Sequence, residues 1–187
     1  MATRLHPLAS ALTVDLSRGR LELKTPSVAR AVAVPAAWLA RAVTALGDNV
    51  DPLTKSLAEA VSKDAVTILD ATPDPTPEEV AYAIALALGQ RGLGTCSFER
   101  YGEALTLHWN SPPTTDESFH RFATRLIADV VSDVAGVETG ATVLATEPDA
   151  LTLFLGAEAA CSFVRERAAR GEPGPQILAA LLGGASA

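Results

Sequence analysis

The sequence is poor in the residues that usually carry chemistry. Its 187 residues include two cysteines and three histidines, and aromatics make up 5%. Cys96 and Cys161 are too few for a disulfide framework, so buried free thiols are expected. His6, His108 and His120 follow no short ligand spacing. A site pairing His108 and His120 with Cys161 would have to be assembled by the fold. Positive charge is also scarce: 15 Lys and Arg stand against 22 Asp and Glu, for a net charge of −7. A nucleic-acid binder needs a basic surface to displace counterions from phosphate, and no such partner is expected. The densest basic cluster, Arg165, Arg167 and Arg170, is interleaved with Glu166 and reads as a solvated helix face. No uncharged apolar run approaches the ~20 residues of a bilayer span. Asp15 and Arg18 arrive too soon for a signal peptide, so a cytoplasmic protein is expected.

The motifs of catalysis are missing as well. There is no Gly-x-Ser-x-Gly elbow, and Ser97, Ser111 and Ser118 have no evident base beside them. Cys161 has no electropositive neighbour before Arg165 and reads as inert. Asp129 and Asp133 lie four apart on one helix face, but acid–base work needs a pocket that separates their pKa values. Gly92 and Gly94 follow a helix and precede a strand. A phosphate-binding loop needs the opposite order, so that helix amides meet the anion. Neither an enzyme nor a cofactor is expected.

What the chain does have is apolar patterning. Apolar residues make up 48% and charged residues 20%. That composition suits one globular domain over 1–187, able to bury about 70% of its unfolded surface. Leu12, Val14 and Leu16, the turn "SRGR", and Leu21 and Leu23 predict a β-hairpin. Pro35 opens a helix with the stripe Trp38, Leu39, Ala42, Val43 and Leu46. Asp51 is read as the cap of a second helix, which repeats Leu53, Leu57 and Val61 and runs towards Leu69. "DATPDPTP" is a stiff connector and the best candidate for a subdomain joint after 1–70. Thr76, Pro77 and Glu79 form a capping box ahead of Val80, Ile84 and Leu88, with Ala81 and Ala85 beside that stripe.

A second hairpin turns at "YGE" and puts Leu105, Leu107 and Trp109 opposite Thr106 and His108. Phe119, Phe122, Leu126, Ile127, Val130 and Val134 line a long helix that Asp116 can cap. A third hairpin turns at "EPDA". C-terminal helices follow over 157–182, the last a short apolar piece. The expected class is α+β, with antiparallel hairpins alternating with helices and packed against them.

The Ala-rich faces exceed what a small core plainly needs. They suit two readings equally: a large internal core, or an interface between copies at Ala81, Ala85, Trp38 and Ala42. A ligand pocket, if present, is expected near Trp109, Phe122 and Cys161.

The segment "TPEEVAYAIALALGQRGLGTCSFERYGEALTLHWNSPP", followed by the helix from Phe119 and the hairpin at 140–155, resembles the D-type accessory component of bacterial cellulose synthase complexes over about residues 51–156. The same helix-hairpin-helix-hairpin order is similar to the components of TRAPP vesicle-tethering complexes and to 4-vinyl-reductase ligand-binding domains. "CSFV" at 161–164 resembles the Cys-x-Phe near the end of the latter. The first resemblance implies a non-catalytic scaffold protein that oligomerises into a dimer or higher ring and organises protein partners, for example in exopolysaccharide (cellulose) synthesis. The vinyl-reductase likeness implies a small-molecule-binding regulatory domain. A dimeric secretion chaperone is a third expectation, drawn from the small, acidic, α+β character of the chain.

Overall fold

Local signals place most elements. The computed structural model describes residues 12–15, 20–23, 34–70, 72, 74–102 and 104–184, with side chains from Val34 onward. His6, Leu16 and the last three residues lie outside the described part. The first hairpin forms as expected: β1 (Leu12–Asp15) and β2 (Arg20–Leu23) pair antiparallel, with Leu12 opposite Leu23.

Pro35 precedes α1 (Ala36–Leu46), which Gly47 ends at a positive φ of 49°. A 3-10 turn, Gly47–Val50, leads directly into α2 (Asp51–Leu69). Asp51 therefore does not cap α2. The preceding residue, Val50, already has helical φ and ψ, and no side chain caps this end. The deepest stripe of α2 is Thr54, Ala58, Val61 and Ala65, one position away from the Leu53–Leu57 repeat. Small side chains there let α2 approach the long helix α4 (Glu117–Ala135) closely, while the leucines flank the contact.

The connector at 70–77 does not separate the chain into distinct cores. It leads into α3 (Pro77–Gln90), which packs on α2 in the same apolar cluster. The capping box is complete: the Thr76 hydroxyl accepts from the Glu79 amide at 3.3 Å, and the Glu79 carboxylate accepts from the Thr76 amide at 2.8 Å. A buried ion pair fastens the other end of α3, where Arg91 donates to Asp64 of α2 at 2.6 Å.

The second and third hairpins join into one antiparallel sheet of four strands. It contains β3 (Thr95–Tyr101), β4 (Ala104–Asn110), β5 (Gly140–Glu147) and β6 (Ala150–Gly156), in the order β3-β4-β6-β5. Gly94 enters the sheet at φ +99°, where a Cβ would collide with the carbonyl oxygens of Asn110 and Ser111.

One face of the sheet carries Leu105, Leu107 and Trp109 beside Leu151, Leu153 and Leu155. It packs under α3 and α4, with α2 above them. Phe119, Phe122, Leu126, Ile127 and Val130 fill that core as the α4 stripe predicts. The opposite face carries α5 (Glu158–Ala169) and α6 (Gly174–Gly184). There a smaller cluster gathers Phe154, Leu144, Cys161, Val164, Ile177 and Leu178. The architecture is α+β, and among the described residues no helix is long and apolar enough to cross a membrane.

A candidate ligand groove on the α6 face of the sheet

The residues expected to form a pocket do not come together as one. Trp109 and Phe122 are fully buried in the larger core, where both rings pack against Phe119. The Trp109 indole N–H donates to the Leu93 carbonyl, so its single polar atom is already used. Cys161 is equally buried, but in the cluster on the other side of the sheet.

Three of the expected interface residues, Trp38, Ala81 and Ala85, line two surface depressions. Trp38 is 60% exposed and, with Leu39, Leu53 and Leu57, lines a groove of about 360 Å³. Ala42 is half-buried on the same helix. Ala81 and Ala85 are half-buried and line a groove of about 350 Å³ with the exposed Tyr82 and with Cys96 and Phe98 of the edge strand β3. Burial pushes the Cys96 thiol up to about 12.

The two histidines stay apart. His108 on β4 bonds through Nδ1 to the Thr152 hydroxyl at 3.1 Å, and His120 on α4 meets the Thr115 carbonyl at 3.2 Å. Among the described residues no group of three or more His, Cys, Asp or Glu could hold a metal. Asp129 and Asp133 do not act as a pair either. Asp129 accepts from Arg125 and Asp133 accepts from Ser62, so each ties down a different neighbour.

A third depression has the mixed lining that small-molecule sites share. It is a groove of about 590 Å³ between the outer face of the sheet and α6. The pleat supplies its floor. Every second residue of β4 and β6 faces away from the large core, which brings Thr106, His108 and Thr152 together. A β-bulge between Val143 and Ala145 then places two consecutive residues, Leu144 and Ala145, on this side. Leu178, Ala179 and Leu182 of α6 form the wall.

α6 is seated at both ends of the groove. A Cβ on Gly174 would come within 3.2 Å of Leu144, and one on Gly102 within 3.0 Å of Leu182. At the β3 end the Tyr101 hydroxyl donates to the Glu99 carboxylate at 2.6 Å. That hydrogen bond, and then the Glu99 charge, hold the Tyr101 hydroxyl above the usual phenol range. Among the described residues, the second ring nitrogen of His108 has no hydrogen-bond partner.

The alternation along β4 puts Thr106 and His108 on the face away from Trp109, and that is the signal for the floor that the sequence offers. It gives no sign of the bulge, nor of α6 as the wall.

No family model matches the sequence, and no curated protein does. Among solved structures the chain is similar to the phenol-responsive sensory domain of the transcription activator PoxR, determined with phenol. The two are 12% identical, the match covers 89% of this chain and 94% of that one, and the TM-score is 0.56. At that identity the likeness is one of fold. None of these comparisons bears on the resemblance to the cellulose synthase component.

Proposed function

We propose that this protein is a non-catalytic regulatory domain that binds a small, largely apolar molecule in the groove beneath α6. The observation that carries this reading is the groove itself. Its 590 Å³ is about the size of a small-ligand site, its α6 wall is leucine and alanine, and Thr106, His108 and Thr152 meet on its floor. The fold shared with a phenol-responsive sensory domain supports the same reading. A sensor must also convert occupancy into a change of shape. α6 is suited to this because it touches the ligand space directly and is anchored mainly by Ile177 and Leu178.

The test is thermal denaturation in the presence of a panel of small aromatic and amphipathic molecules. Compounds that occupy the groove raise the midpoint of the wild type but not that of Ala179→Trp, which fills the groove from its wall. Stabilisation that persists in Ala179→Trp would overturn the reading.

A second reading, an assembly component that organises protein partners, is favoured by the surface around Ala81 and Ala85. There the exposed Tyr82 and the half-buried Phe98 border the unpaired edge of β3. Light scattering checks it: a dimer or ring that Ala85→Glu converts to folded monomers supports the assembly reading. A wild-type monomer removes it.

A further inference from the structure

The groove carries charge of one sign. Two carboxylates, Glu99 and Glu147, line it, and no lysine or arginine among the described residues does. Arg100 follows Glu99 in the chain and lines the Ala81 groove, as Glu99 also does, and its Nε donates to the Gly102 carbonyl at 2.8 Å. At the β3 end the Glu99 carboxylate accepts from the Tyr101 hydroxyl, and Tyr101 is 47% exposed beside it. A carboxylate next to an accessible aromatic face is the pairing that recognises an ammonium group, by charge and by attraction to the ring. Leu182 packs on Gly102 next to Tyr101, so an apolar surface begins where the charged end stops.

We infer that the groove selects small amphipathic cations, with the ammonium at Glu99 and Tyr101 and the apolar body along Leu182, Leu178 and Leu144. This rests on the ligand-binding reading and narrows it to one chemical class. An anion of the same size meets the Glu99 and Glu147 carboxylates. A neutral analogue keeps the apolar contacts and loses the charged one.

Isothermal titration calorimetry of the full chain with phenethylammonium, phenethyl alcohol and 3-phenylpropionate separates these cases. The ammonium is expected to bind about threefold to tenfold tighter than the alcohol at low salt, with no measurable heat from the carboxylate. Added salt narrows the gap. Glu99→Gln, at an exposed position, is expected to remove the preference. The class is overturned if the ammonium does not bind, if the alcohol binds as tightly, or if the preference survives Glu99→Gln. Ala179→Trp distinguishes that failure from failure of the groove. Binding lost in Ala179→Trp keeps the groove as the site whatever the ligand class, and binding retained there overturns both.

Discussion

The two faces of the sheet bury different kinds of surface. On the α4 side, Trp109, Phe119, Phe122 and the leucines of β4 and β6 interlock with helices in two layers, and the one polar atom of Trp109 is held by a backbone carbonyl. On the α6 side a smaller cluster covers part of the sheet and leaves Thr106, His108 and Thr152 beside open space. The contrast teaches a division of labour. The packed face buries the larger core, and the half-covered face leaves a groove under α6.

The sharpest way to break the comparison is to damage each core in turn. Phe122→Ala removes a fully buried ring from the larger core and is expected to cost about 3–5 kcal/mol, read as a global loss in denaturant unfolding. Ile177→Ala in the smaller core costs about 2–4 kcal/mol at most. Its effect is expected to be local: amide exchange accelerates across 174–184 while α4 stays protected. Equal acceleration in both regions would erase the distinction between the faces.

Each face also holds one thiol. Cys96 packs against the larger core, and Cys161 lies in the smaller one with its Sγ 3.6 Å from the Gly156 carbonyl. Burial raises both thiols above their ordinary range. Neither is expected to react with iodoacetamide in the native state at neutral pH, and Ile177→Ala should expose Cys161 first. The smallest effect concerns pH. The Cys96 thiol sits at about 12 in the fold against an ordinary 9.0, so its contribution to stability is complete below pH 9 and fades as the pH rises towards 12. Denaturation midpoints over that window should fall more for the wild type than for Cys96→Ala.

Local structure is largely legible in the sequence. The capping box at Thr76, the α4 stripe and the facing of Trp109 against His108 follow from spacing alone, because each is decided by neighbours within a few residues. Two kinds of information are not legible. Strand order is set by contacts distant in sequence, so the sequence groups Cys161 with Trp109 and Phe122 although the sheet lies between them. The depth of a helix residue depends on what it meets. Trp38 reads as part of an apolar stripe and as an interface residue, and it stands exposed, whereas Thr54 carries no apolar signal and is fully buried. The groove needs both kinds, since its wall comes from a helix that sequence marks only as a short apolar piece.

The bulge in β5 has an effect at the rim of the sheet as well as in the groove. A regular outer strand can template another strand along its free hydrogen-bonding side, and a bulge interrupts that template. Of the two outer strands, β3 keeps a regular run of seven residues, with no strand on its other side among the described residues. Strand addition to this sheet is therefore one-sided. Two copies joined through β3 would use up the regular rim of both, which makes a closed pair the natural limit and an open fibre an unfavourable product.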